Sequence, residues 1–293
     1  MTLSLTLVSR SGAARQIAEA APGGRGPVAE LGRSAWSAVE RTIDAKARTD
    51  LVEYLATETG PNETDWAVTP SKNRRKRLLV ADMDSTIIGQ ECLDELADFA
   101  GKKPQISAIT ERAMRGELDF AQALTQRVAM LKGLSVSALE ACYTQRVTLN
   151  PGARTLVATM RAHGSRCVLV SGGFRFFTSR VAKMAGFDAD RANTLIDDGS
   201  VLTGAVGQPI LGREAKLAAL VEESSALGLS PEDAMAIGDG ANDLAMIKAA
   251  GLGVAYRAKP IVAAETTARI EHTDLTAALF FQGYREEEFL SGE

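Results

Sequence analysis

Asp82 and Asp84 stand two residues apart in the stretch LLVADMDST, residues 78–86, directly after a short apolar run. A pair of carboxylates so spaced can share one cation, and one of them can attack an electrophile. Ser85 and Thr86 follow with hydroxyls and backbone N–H groups. The same residues also read as a helix N-cap, because Asp, Ser and Thr are frequent helix starters, and taken alone they leave both readings open. Two further clusters have comparable chemistry: Ser171, Gly172 and Gly173, and then Asp239, Asn242 and Asp243 within GDGAND, residues 238–243. Ser171 and the N–H groups of Gly172 and Gly173 can close around the oxygens of an anion, since glycine lets the backbone approach. Lys216 offers a compact ammonium suited to a phosphate oxygen. Carboxylates gathered at one place repel one another unless a hard cation sits among them, and an oxygen-rich cluster suits Mg²⁺. No GxxxxGK[ST] loop occurs, so phosphate chemistry here points to a carboxylate nucleophile.

These residues need a frame that brings them together. Residues 78–81, 166–170 and 235–237 are short apolar runs of the kind buried on both faces of a parallel sheet, and each ends in one of the clusters. Helical patterns separate them, at 153–163, at 176–185, around Lys216 and from Leu244. Further strands are predicted at 252–255 and 268–270, and a β-hairpin within the turn-rich segment 193–212. Strands alternating with helices predict a doubly wound parallel α/β sheet, whose carboxyl edge collects the clusters. Between residues 89 and 148 the pattern is helical throughout, with apolar faces at Leu93, Leu96 and Ala97, at Ile106, Ile109 and Met114, at Phe120, Leu124 and Val128, and at Leu139 and Cys142. Gly101, Gly116 and Gly133 punctuate it, which predicts four short helices forming an inserted cap.

The first 73 residues read as a small N-terminal α+β module. Residues 3–8 alternate like a strand, and 66–68 do so again. Trp36, Val39, Ile43, Ala47, Leu51, Tyr54 and Leu55 recur at spacings of three and four, which predicts one amphipathic helix. The basic run SKNRRKR, residues 71–77, reads as a solvated linker. The core then comprises residues 74–88 and 149–293. A net charge of -4 gives no reason to expect nucleic acid or an anionic membrane. No run approaches a membrane span, and the N-terminus lacks a secretory pattern. Cys92, Cys142 and Cys167 show no CxxC spacing and read as reduced core residues, which places the expected location in the cytoplasm.

The ordered blocks DxDxT at 82–86, Ser-Gly-Gly at 171–173, Lys216 and GDGxND at 238–243 resemble the haloacid dehalogenase superfamily of phosphatases. The resemblance implies a Rossmannoid core in which Asp82 is the nucleophile, forming an aspartyl-phosphate, and Asp84 is the general acid and then base. It implies Mg²⁺ held by Asp82, the backbone carbonyl of Asp84, and Asp239, with Asn242 and Asp243 orienting water and phosphate. The stretches DMDSTIIGQE and GDGANDLAMIKAAGLGVAYRAKP are similar to the branch that hydrolyses O-phospho-L-serine, the last step of serine biosynthesis. By that likeness Glu91 takes the substrate ammonium and Arg127 its carboxylate, beneath apolar lid residues Met114 and Phe120. Other small phosphomonoesters such as phosphohomoserine and phosphoethanolamine, or an amino-acid sensor without catalysis, are the alternatives. The N-terminal module is similar to a reduced ACT module, which would bind an amino acid or pair two copies into a homodimer.

Overall fold

The computed structural model describes residues 2–114, 117–212 and 214–292. Gly116 and the side chain of Met114 lie outside what is described. From the N-terminus the elements are β1 (Thr2–Ser9), α1 (Ala13–Ala20), β2 (Gly24–Gly32), β3 (Ser37–Asp44), α2 (Arg48–Glu58), β4 (Thr64–Pro70) and β5 (Leu78–Ala81). The cap helices are α3 (Cys92–Phe99), α4 (Lys103–Met114), α5 (Phe120–Ala129) and α6 (Val136–Arg146). The α/β alternation resumes with α7 (Ala153–Ala162), β6 (Arg166–Phe174), α8 (Arg175–Ala185), β7 (Ala189–Asn193), and the hairpin β8 (Leu195–Asp197) and β9 (Leu202–Val206). It closes with α9 (Glu214–Ala226), β10 (Ala234–Gly238), α10 (Leu244–Ala249), β11 (Leu252–Tyr256), α11 (Pro260–Ala263), β12 (Ala268–Ile270) and α12 (Ala277–Phe281).

One sheet runs through the whole molecule in the order β2-β3-β1-β4-β12-β11-β10-β5-β6-β7. Its β12 to β7 half is parallel, as the α/β alternation predicts. All four residues of β5 are buried, because helices cover both faces of the sheet there. Register then places the chemistry: Ala81 lies opposite Ile237 on one side and Leu169 on the other. Asp82, Asp239 and Ser171 therefore leave the sheet at the same edge.

The N-terminal strands continue that sheet through an antiparallel pairing of β4 with β12. Asp65 secures the join: its buried carboxylate accepts from the N–H groups of Glu271, His272 and Thr273 at 2.7–3.0 Å. Two expectations fail in this region. The stripe from Trp36 to Ala47 is mostly strand β3, paired along its length with β1, and the helix begins only at Arg48. Ala38 and Val39 pack into cores on opposite faces of the sheet, so the apolar residues of β3 do not strictly alternate, and Val39 and Ile43, four apart on one face, imitate a helical stripe. The basic run is also not simply solvated. Lys76 is buried and donates to the carbonyls of Asn73 and Glu232 at 2.8 Å. Arg74 pairs with Glu40, while Arg75 grips both oxygens of Glu288 and lies over the Tyr284 ring. Among the described residues no helix is long and apolar enough to cross a membrane, and all three cysteines are buried and free.

The cap joins the core through two strands of chain laced together. Ile88 bridges Leu149, the Asn150 N–H donates to the Ile87 carbonyl at 2.9 Å, and Gln90 and Thr148 exchange two hydrogen bonds of 3.0 Å.

Candidate active site

A cavity of about 200 Å³ lies between the carboxyl edge of the sheet and the cap. Its floor is the turn after β5. The Asp82 N–H continues the ladder to the Ile237 carbonyl at 3.0 Å, and the chain then turns sharply, with Ser85 in the left-handed region at φ 56°. One Asp82 oxygen accepts from the Met83 N–H at 2.8 Å. It also meets the Lys216 ammonium at 2.7 Å, and that ammonium reaches Asp243 at 2.5 Å. All three side chains are buried. Lys216 comes from the first turn of α9, and Asp243 immediately precedes α10, where its second oxygen accepts from the Gly240 N–H at 3.0 Å.

The charge balance there is uneven. Burial opposes a charged lysine, but Asp82 and Asp243 outweigh it and hold the Lys216 ammonium above its usual pKa. Burial, then the nearby Asp243, pushes the Asp82 carboxyl well above the ordinary range, and the same two causes raise Asp239. Oxygens of Asp82, Asp239 and Asp243 all lie within 4.8 Å of one another. Three carboxylates answered by one ammonium leave excess negative charge, which a divalent cation would neutralise. The all-oxygen donor set fits a hard ion such as Mg²⁺. Asp243 thus enters as a candidate ligand alongside Asp82 and Asp239.

The Asp84 carboxylate faces elsewhere. It accepts from the Ser171 hydroxyl at 3.0 Å and from the Cys92 N–H at 2.9 Å, and burial raises its pKa. Gly173 was expected to offer its N–H to an anion, but that group donates to Ser171 Oγ at 2.8 Å within a tight turn. The turn leaves little room for a side chain. A Cβ on Gly173 would lie 3.0–3.1 Å from Ser171 Oγ and Asp84 Oδ2, and one on Gly172 would lie 3.1 Å from the Phe120 ring.

Glu91, Arg127, Phe120 and Asn242 all line this cavity with Asp82, Asp84, Ser171, Gly172, Gly173 and Asp239, while Lys216 and Asp243 are buried behind Asp82 and do not line it. The Met114 expectation lies outside the described side chains. Ser85 Oγ donates to Glu91 at 2.7 Å. The Glu91 carboxylate keeps surface open to the cavity, yet crowding by the surrounding protein, then the negative Asp84, pushes its pKa up to about 7. Burial lowers the Arg127 pKa, opposed by Asp94 and Glu91.

Asn193 and Lys259 were not singled out from the sequence. Asn193 is buried at the end of β7, where its amide donates to the carbonyls of Gly172 at 2.9 Å and Leu211 at 3.1 Å. Its oxygen accepts from the Leu211 N–H at 2.7 Å, so it ties the Ser-Gly-Gly turn to the segment leading into the Lys216 helix. Strand β7 is a polar edge strand, ADRAN, without the alternation that would have drawn attention to it. Lys259 lines the cavity beside Asp239, whose carbonyl accepts its backbone N–H at 3.0 Å.

A parallel sheet that presents two motif aspartates, a serine-glycine turn, a buried lysine and an acidic cluster at one edge defines a class of hydrolase. Residues 79–248 match the haloacid dehalogenase-like hydrolase family, and the chain belongs to it. Within that class the chain falls among the phosphoserine phosphatases. A phosphoserine phosphatase from Polaromonas sp. is 48% identical over 208 residues, covering 69% of this chain and 88% of that one. Two solved structures superpose along nearly the whole chain. A HAD-family hydrolase from Salmonella enterica serovar Typhi has a TM-score of 0.87 at 30% identity, covering 96% of this chain and 98% of that one. An unliganded probable phosphoserine phosphatase from Vibrio cholerae has a TM-score of 0.78 at 30% identity, covering 96% and 86%. Both extend across the N-terminal strands, which lie outside the family match.

Proposed function

We propose that the chain hydrolyses O-phospho-L-serine to serine and phosphate, as the last step of serine biosynthesis, with Asp82 as nucleophile and Mg²⁺ as cofactor. The observation that carries this reading is the pairing across one small cavity of Asp82 and Asp84 with Glu91 and Arg127, with the Lys216 ammonium held against Asp82. The first set suits a phosphoryl group. The second suits an amino acid, because Arg forks a carboxylate and Glu accepts from an ammonium.

In the first step an Asp82 oxygen forms a bond to phosphorus while the bond from phosphorus to the serine oxygen breaks. Asp84, whose raised pKa favours the protonated acid, gives its proton to the departing oxygen. In the second step Asp84 takes a proton from a water that attacks phosphorus, and the bond to Asp82 breaks to release phosphate. Ser171 and the Cys92 N–H hold Asp84 in place for both steps. Lys216 keeps Asp82 aligned and supplies positive charge beside the attacking oxygen. Asp82, Asp239 and Asp243, with the Asp84 carbonyl, would hold Mg²⁺, which supplies charge neutralisation between an anionic nucleophile and an anionic ester.

Phosphate release from phosphoserine, phosphothreonine and phosphoethanolamine, compared with and without Mg²⁺, tests the reading. Phosphoserine is expected to exceed phosphoethanolamine, which lacks the carboxylate, by about tenfold or more in kcat/KM, the scale of one lost charge-assisted contact. Phosphothreonine, which keeps both charges and adds a methyl group, should lose about tenfold by crowding the small cavity, and turnover is expected to need the metal. Equal rates on all three esters would overturn the substrate, and full turnover in chelator would overturn the cofactor.

A further inference from the structure

A second cavity, of about 550 Å³, opens between the cap helix α6 and the core helices α7 and α8. It is larger than the catalytic cavity and shares no lining residue with it. Four cations line it, Arg154, Arg161, Arg180 and Lys183, beside the softer walls of Tyr143 and Met184.

Two of the four are fixed in place. Arg161 pairs with Asp188 at 2.8 Å and donates to the Gly186 carbonyl at 2.9 Å. Arg180 pairs with Glu140 at 2.9 Å, donates to the Phe176 carbonyl at 2.9 Å, and lies 3.7 Å over the Phe176 ring. Each guanidinium keeps unused donors, and held this way it loses little freedom on meeting an anion. Arg154 and Lys183 have no side-chain hydrogen bond or ion pair among the described residues. Among the described residues, Asp188 and Glu140 answer two of the four cations, in a chain whose net charge is -4. A concave wall of one sign concentrates counter-ions of the other. A lone phosphate would fill little of the space, which falls in the range occupied by small organic ligands.

The position matters as much as the charge. A groove of about 390 Å³ continues the cavity, sharing Arg154 and Met184 with it and following Val147, Thr148, Leu149 and Asn150. That segment is the return strand of the hinge between cap and core. An occupant would touch α6 on the cap and α7 and α8 on the core together.

We propose that this cavity is an effector site for a small organic dianion, a compound with two phosphate, sulfonate or carboxylate groups on a compact body. Its occupancy ties α6 to α7 and α8 and changes how readily the cap moves. The site stands whichever ester the catalytic cavity hydrolyses.

Calorimetry on the full-length, Mg²⁺-loaded protein, with naphthalene disulfonate as probe and naphthalene monosulfonate as control, tests it. Neither compound has a phosphoester to cleave. The disulfonate is expected to bind saturably at one site, about tenfold or more tighter than the monosulfonate. Combining Arg154→Glu with Lys183→Glu is expected to weaken it by about tenfold or more, the scale of lost charge-assisted contacts. Neither residue lines the catalytic cavity, and neither side chain bonds to another among the described residues, so the double variant should retain the wild-type melting temperature and turnover without probe. With probe bound, the KM of the wild type, but not of the variant, should shift by about twofold or more, a change of a few tenths of a kcal/mol in binding. No saturable binding, or equal affinity for the double variant, would overturn the site. Saturating probe with unchanged KM would overturn its link to the cap.

Discussion

At the sheet end of the catalytic cavity, Asp82, Lys216 and Asp243 are buried and joined by contacts of 2.5–2.7 Å. At the cap end, Glu91 and Phe120 keep exposed surface, and Arg127 bonds only weakly to the carbonyl of its own helix at 3.3 Å. The first group hangs from strands whose register is fixed on both sides, while the second sits on or beside an insert tied to the core through a two-strand hinge. On the proposed function, the molecule would divide its work between these two ends. Reacting groups need sub-ångström placement, which a rigid sheet edge supplies. Groups that recognise the amino-acid part must let substrate in and product out, and an insert on a hinge allows that.

If the division holds, damage at the sheet end should fall on every substrate alike. Asp82→Asn should lower kcat by about 10⁴-fold or more on phosphoserine and on an aryl phosphate, since removing a nucleophile abolishes the covalent route. Its melting temperature should change little, because the lost pair with Lys216, which keeps Asp243, is offset by removing a buried charge and its repulsion with Asp243. Lys216→Met should cost about 10³-fold in kcat on both substrates. It should also cost about 3 kcal/mol in stability, because two buried carboxylates lose their shared cation; chemical denaturation would measure that loss. Wild-type stability in Lys216→Met would show the pairing to be unimportant to the fold.

A smaller effect should appear at the cap end alone. Glu91 must be ionised to accept a substrate ammonium, and its pKa is raised to about 7. Below that pH the carboxyl is neutral, so the KM for phosphoserine should fall as pH rises through about 7 and then level off. The aryl phosphate shares the titration of a phosphate group but has no ammonium, so it should lack this component. Glu91→Gln should flatten the difference between the two profiles, and identical profiles in the wild type would break the comparison.

Much of this was legible in the sequence, for a physical reason. Strand β5 and its aspartates are contiguous, and burial on both faces gives an unbroken apolar run that is hard to misread. The acidic block after β10 is equally local. What escaped was non-local. Strand β3 resembled a helix because it is buried on both faces and Val39 and Ile43, four apart on one of them, also fit a helical stripe, and β7 was missed because a polar edge strand has no apolar signal. The run SKNRRKR looked solvated because its partners, Glu40, Glu232 and Glu288, lie 34 to 213 residues away. Asn193 acts by joining two turns that only the fold brings together. Asp243 was expected to orient water and phosphate, but its grip on Lys216 depends on how α9 and α10 pack.

The most direct test of the division is the loss in kcat/KM of Arg127→Ala, measured on phosphoserine and on 4-nitrophenyl phosphate with Mg²⁺ present. Losing a forked contact to the substrate carboxylate should cost about a hundredfold on phosphoserine, with little change on the aryl ester. Parallel losses on the two substrates would mean that Arg127 serves the fold of the cap, and would contradict the assignment of selectivity to that end of the cavity.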